Sequence, residues 1–188
     1  MRIVKKILLV LAVIFVVIAA IGFIFFPSHI HVERNAIINQ KQGVVYSYVS
    51  NLGNWNKWSP WYQLDSTARY IFEGPASGVG AVFKWESQNK DVGKGSMKIT
   101  DAMPDSVIKQ DLNFMDQGTA KSSFRFSPEG NATNVTWAFD VEAGANPLFR
   151  IMGSFMDGML GKDFEKGLAK LKINAEAIPV SDSSVVQQ

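Results

Sequence analysis

Between Ile7 and Phe26 the chain carries 20 consecutive residues, ILLVLAVIFVVIAAIGFIFF, without one charged or polar side chain. As an α-helix this run covers roughly 30 Å, the thickness of a bilayer's hydrocarbon core. The rival reading is a cleaved signal peptide, whose apolar region is shorter, about 7–15 residues, and ends at a small-x-small site. Here the run ends in Phe23-Ile24-Phe25-Phe26-Pro27, and Ala19-Ala20 falls too early to leave a full apolar core before it. An uncleaved single-pass anchor is expected. Arg2, Lys5 and Lys6 precede the run and predict a cytoplasmic amino terminus, with the remainder on the periplasmic or extracellular side.

That segment distorts the averages. The formal charge of +2 includes three amino-terminal cations, and the rest of the chain holds 16 basic against 17 acidic residues. Such a domain lacks the basic footprint of a nucleic-acid binder. Cysteine is absent, which excludes disulfides, thiolate catalysis and Cys-ligated zinc.

After Pro27, Ile30, Val32, Ala36 and Ile38 share one strand parity, and Arg34 falls among them. Gln40–Val49 reads as a short helix and Asn54–Trp58 as a helical turn stopped by Pro60. From Arg69 on, apolar runs alternate with turn residues, predicting strands at 69–73, 80–87, 94–102, 106–114, 119–127 and 132–142. Pro147 suits the start of a long helix to about Ile173, with Phe149, Met152, Met156, Leu160, Phe164, Leu168 and Leu171 as its apolar stripe. Its glycines weaken it, so it needs tertiary support. The resulting class is α+β: a curved, seven-stranded antiparallel sheet around a long carboxy-terminal helix, the helix-grip arrangement, preceded by one transmembrane helix. The expected division is 1–27 anchor, 28–174 globular domain and 175–188 unstructured tail.

Trp55-x-x-Trp58-Ser59-Pro60-Trp61, Gly78-Val79-Gly80-Ala81 leading to Trp85, Val135-Thr136-Trp137, and Gly167-Leu168-x-x-Leu171-Lys172 occur in that order. Together with the element order they resemble the START-like (SRPBCC) superfamily, specifically its polyketide cyclase/dehydrase-type bacterial members. The resemblance covers about Ile30 to Lys172. It implies an apolar cavity between sheet and helix that binds lipids or other hydrophobic molecules in some members and supports cyclisation or dehydration in a minority.

Strand alternation sorts the faces. Tyr70 and Phe72, Phe83 and Trp85, Phe124 and Phe126, and Trp137 and Phe139 lie opposite the charged residues of their strands. The expected ligand-lining set is Arg34, Trp58, Trp61, Tyr70, Phe72, Phe83, Trp85, Gln110, Phe124, Trp137, Phe139, Met152, Met156 and Leu160. Arg34, Gln110 and Ser122 are the polar exceptions on the inner parity. An inward arginine needs a partner, either a ligand anion or, from an edge strand, solvent. Trp55, Trp58 and Trp61 read as a pocket mouth, a bilayer-surface belt or a plug for the end of the sheet. His29 and His31 are one ligand short of a zinc site, and the chain has no nucleophile-elbow, phosphate-loop or dinucleotide fingerprint. No catalytic residue, metal or cofactor is expected. The leading expectation is a membrane-tethered module for a lipid or other hydrophobic small molecule. The alternatives are a cyclase or dehydrase using Arg34, Gln110 or Tyr70, and an interaction domain with a filled core.

Overall fold

The computed structural model describes residues 2–179. Helix α1 (Arg2–Phe25) contains the apolar run and is long and apolar enough to cross a membrane, with almost none of it buried by the protein. Then come β1 (His29–Ile38), α2 (Gln42–Ser50), α3 (Trp55–Trp58), β2 (Arg69–Glu73), β3 (Val82–Glu86), β4 (Lys94–Met103), β5 (Val107–Asn113), β6 (Thr119–Glu129) and β7 (Ala132–Glu142). Two helices come last among the described residues, α4 (Pro147–Gly153) and α5 (Met156–Glu176). The expected strands are all present, with ends shifted by three residues or fewer.

The seven strands form one antiparallel sheet in the order β1-β7-β6-β5-β4-β3-β2. β2 to β7 are a plain meander, and β1 closes onto β7 from the far side, so α2 and α3 carry the chain across the concave face. A register shift between Ile99 and Asp101 in β4 marks a bulge, which bends and twists a sheet locally.

Register defines two ends. His29 pairs with Glu142, Asn113 with Thr119, Ser96 with Asn113 and Glu86 with Lys94. The exit from α1, the β3–β4 and β5–β6 turns and the β7–α4 link therefore share one end, the near end. The far end is sealed: Gln40 is buried, its Nε2 donates to the Ile178 carbonyl (2.9 Å), and Thr133 Oγ1 donates to the Gln40 carbonyl (2.7 Å).

The expected single carboxy-terminal helix is two helices. Asn146 caps α4 by accepting from the Phe149 N–H (3.1 Å), with Pro147 in the first turn. Ser154 ends it, its hydroxyl donating to the Ile151 carbonyl (2.7 Å), a local bond that competes with helix propagation. α5 then runs three residues beyond the expected Ile173. The expected unstructured tail lies, from Val180 on, outside the described residues.

The apolar helix touches the domain near its carboxy-terminal end. Gly22 of α1 is buried against Pro147, where a Cβ would lie 2.7 Å from the Pro147 carbonyl oxygen. The Arg150 guanidinium sits 4.8 Å from the Phe23 ring and donates to the Gly144 carbonyl through Nε (2.9 Å) and Nη2 (2.7 Å).

The α5 glycines have separate explanations. At Gly167 a Cβ would meet the Trp137 ring at 2.9 Å and Pro60 at 3.2 Å, both rigid, whereas at Gly158 it would meet nothing within 4 Å. Gly158→Ala is expected to stabilise the protein by up to about 1 kcal/mol, the helix-propensity gain. Gly167→Ala is expected to destabilise it by about 1–3 kcal/mol through overpacking. Denaturant midpoints of the full chain in detergent check this; a Gly167→Ala variant as stable as Gly158→Ala would mean that the helix and Trp137 are not in close contact.

Candidate functional site

Half of the space between α5 and the sheet is solid. Phe164, Leu168, Leu171 and Ala175 are buried on the far-end side. Trp137 stacks on Phe164 with centroids 3.9 Å apart and planes 6° apart, and Trp55, Trp58 and Trp61 meet Trp137 edge-on at 5.4–5.9 Å.

The near-end half is hollow. A cavity of about 350 Å³ lies there, at the small end of the ~300–1,000 Å³ typical of ligand sites. Of the expected set, Trp61, Tyr70, Phe83, Trp85, Gln110, Trp137, Phe139, Met156 and Leu160 line it, together with Ser122. Trp85 lies across Gly95 of β4, where any Cβ would collide with its ring, and donates to the Val92 carbonyl (3.1 Å). The rim consists of the β3–β4 turn (Lys90–Lys94), the β5–β6 turn (Gln117–Thr119), Phe149 of α4 and Met156 of α5.

Five expected lining residues are placed elsewhere. Trp58 and Phe124 point inward but are wholly buried, packed on each other at 5.9 Å in the solid half. Full burial also removes Trp58 from any bilayer-surface belt. Phe72 rests on Phe83 (5.2 Å) yet is 49% exposed, because β2 is an edge strand. Met152 is 64% exposed; Gly153 takes its inward place because the Ile30 side chain occupies the volume a Cβ would need. Arg34 crosses from the sheet edge to α5, lies against Gly161 and pairs with Asp157 (2.7 Å) and Glu165 (2.9 Å). That contact holds the Asp157 carboxyl below the usual carboxylate range. Arg34 is a helix-to-sheet clamp outside the cavity.

Polar groups inside the cavity are few. Gln110 is 1% exposed, and neither its Nε2 nor its Oε1 has a hydrogen-bond partner. Buried side-chain amides are nearly always satisfied. Directly opposite in register, Ser122 Oγ accepts from Trp137 Nε1 (3.0 Å), which leaves its own proton to donate. Asn56, which also lines the cavity, has an unpartnered buried Oδ1; nothing in the sequence between Trp55 and Trp58 marks it. Met97, Leu112 and Phe114 are legible through alternation with the charged residues of β4 and β5. Tyr70, a candidate for polarising a carbonyl, spends its hydroxyl on the Asp65 carbonyl (2.9 Å), and burial pushes its pKa up. The other ionisable lining groups are Tyr62 and the rim residues Lys90, Asp91 and Lys94.

On the outer face, His29, His31 and Asp140 bring ligand atoms within 4.8 Å of one another. β7 thus supplies a third side chain that spacing along β1 cannot reveal, and the trio meets the minimum donor number for zinc. Without a metal, the surroundings of His29 favour its imidazolium form. His29 Nδ1 faces Glu142 (2.8 Å) and Nε2 faces Asp140 (3.1 Å), whereas a neutral ring has one N–H. The hydrogen bond to Glu142 raises the His29 pKa. A raised folded-state pKa contributes stability below the unfolded value, about 6.5, and loses it as pH rises through the folded value. His29→Ala is therefore expected to lower the denaturation midpoint more at about pH 5.5 than at about pH 9; equal losses would show that the histidine is held neutral.

Solved structures share this architecture. Protein CV1439 from Chromobacterium violaceum is 12% identical and aligns over 79% of this chain and 99% of its own, with a TM-score of 0.58. SA2116 from Staphylococcus aureus, described as a protein of unknown function, is 11% identical over 79% of this chain and 94% of its own, TM-score 0.60. The di-domain ARO/CYC StfQ from the steffimycin biosynthetic pathway is 13% identical over 79% of this chain and 51% of its own, TM-score 0.61. At these identities the likeness establishes the fold alone. No curated protein matches the chain. The family model described as "Polyketide cyclase / dehydrase and lipid transport" matches residues 29–176, from the first residue of β1 to the last of α5. The chain thus belongs to the polyketide cyclase/dehydrase and lipid transport family, within the START-like superfamily.

Proposed function

We propose that this chain is a membrane-anchored binding module for a lipid or other hydrophobic small molecule carrying one hydrogen-bonding group. α1 serves as the anchor, with its amino terminus in the cytoplasm and the domain on the opposite side, in keeping with the positive bias of Arg2, Lys5 and Lys6. The observation that carries the reading is the unpartnered amide of Gln110 in a cavity otherwise walled mainly by aromatic and aliphatic groups. An orphaned buried amide costs about 1–3 kcal/mol, and a ligand carbonyl or hydroxyl seated against Gln110 and Ser122 would offset that cost. The aromatic walls would bury the rest. Catalysis is less well supported. The buried polar groups are amides and the hydroxyls of Ser59 and Ser122, and the Tyr70 hydroxyl is committed to backbone. No carboxylate or imidazole among the described residues reaches the cavity interior for general acid–base work.

Two measurements test this. Met156 lines the cavity whereas Leu171 is fully buried in the solid half. Met156→Trp is expected to cost less than about 1 kcal/mol, below the overpacking range, while abolishing uptake of an apolar fluorescent probe. Leu171→Trp is expected to cost about 1–3 kcal/mol with less effect on uptake. Equal, large losses of stability at both positions would remove the cavity from consideration.

Gln110→Leu removes the orphaned amide at similar volume. The denaturation midpoint is expected to hold or rise, and affinity for a fatty alcohol to fall about tenfold, one hydrogen bond's worth, with binding of a pure hydrocarbon retained. Unchanged alcohol binding, measured by competition with the fluorescent probe, would mean that Gln110 does not contact the ligand.

A further inference from the structure

The cavity rim and the candidate membrane span lie at the same end of the molecule. β1 begins four residues after α1 ends, and the β3–β4 and β5–β6 turns that frame the cavity stand at that end by register. α4 is held directly against α1 through Gly22–Pro147 and Arg150–Phe23. Gly22 lies three residues before the end of α1, so this contact sits roughly 5 Å down the helix axis. That falls within the last turn of α1.

α4 and α5 present two stripes. Phe149 and Met156 face the cavity. Leu148, Met152, Phe155 and Met159, at spacings of four, three and four, are each more than half exposed. A four-residue apolar stripe left uncovered across two helices calls for a partner. Its continuity with α1 names one, because a helix fixed against the end of a membrane span lies at the boundary where interfacial helices bury apolar side chains about 5–10 Å deep. At the tip of the β5–β6 turn, at the same end, Met115 is also exposed and adopts φ +57.

We propose that Leu148, Met152, Phe155 and Met159 insert into the surface of the bilayer crossed by α1, so that the cavity opens onto the membrane and draws its occupant from the lipid phase. This rests on the reading of α1 as an anchor and of the cavity as a binding site. α4 thereby has two roles: its outward side chains enter the headgroup boundary while Phe149 forms part of the rim.

The chain has no cysteine, so single cysteines report position cleanly. Full-length protein carrying Met152→Cys or Met159→Cys, labelled with an environment-sensitive fluorophore, is placed in vesicles of phosphatidylcholine and phosphatidylglycerol. Asn131→Cys, in the exposed β6–β7 turn at the far end, is the control. Quenching by spin-labelled lipid is expected at 152 and 159 and not at 131, with aqueous iodide showing the reverse. Iodide quenching at 152 and 159 equal to that at 131 would overturn the docking. For uptake, the double variant Phe155→Asp and Met159→Asp is expected to slow transfer of an apolar fluorescent probe from vesicles at least tenfold, while leaving equilibrium binding of the same probe delivered from cyclodextrin in detergent unchanged. Unchanged transfer from vesicles would overturn entry through the membrane. Absence of probe binding by either route in the unaltered protein would instead sink the ligand-binding reading, and lipid quenching at 152 and 159 would then still decide whether the face docks.

Discussion

Trp137 stacked on Phe164 is the contact on which the rest of the molecule depends. It joins the last strand to the last helix face to face at 3.9 Å, a separation possible only because Gly167, one turn further on, offers no Cβ to the same indole. Aromatic contact of this kind adds about 0.5–1.5 kcal/mol beyond area burial, but its geometric effect matters more. It divides the helix–sheet interface in two. On one side lie Leu168, Leu171 and Ala175, close-packed. On the other the helix stands off the sheet and leaves the cavity, with the two rings as its inner wall.

The same indole connects packing to polarity. Trp137 Nε1 donates to Ser122, so this buried donor at the cavity floor is satisfied within the protein, while Gln110 across the strand pair is not. The site therefore combines rigid apolar walls with a few unsatisfied amide atoms, the pattern in which sparse polar groups set specificity in an apolar pocket. Charge is kept outside. The Arg34 bridge to Asp157 and Glu165 and the His29–His31–Asp140 group both lie at the sheet edge or its outer face. Exposed pairs of this kind contribute little to stability individually, and Arg34 acts chiefly by setting where α5 crosses β1.

Strand positions are legible because turn residues punctuate the chain between Ser66 and Glu142 and because charge and aromaticity alternate within each run. The expected last strand, 132–142, coincides with β7 at both ends. The inner parity of Phe83, Trp85, Trp137, Phe139 and Gln110 comes from period two alone. Helical stripes are less determinate, since spacings of three and four are both allowed. That freedom is why periodicity points Met152 inward when Gly153 holds the place, the choice being made by the Ile30 side chain from β1. Phe72 departs from expectation for another reason: alternation gives a face, and only the strand order shows that β2 is a sheet edge.

The features that follow from the order of residues without the fold are local and periodic: an apolar segment of membrane-spanning length, seven strands with their faces, the carboxy-terminal helical region and the aromatic character of the enclosed surface. These rest on backbone geometry and side-chain pattern within a few residues. Long-range packing decides which inward residues border empty space and which border atoms. Trp58 and Phe124 point inward as Trp137 does, yet they are sealed while it lines the cavity. Packing also decides that Arg34 meets Asp157, 123 residues away, that Asp140 joins two histidines, and that α4 rests against the end of α1. Each of these depends on the distance between elements remote in the chain, which close packing sets through the volumes of all side chains between them.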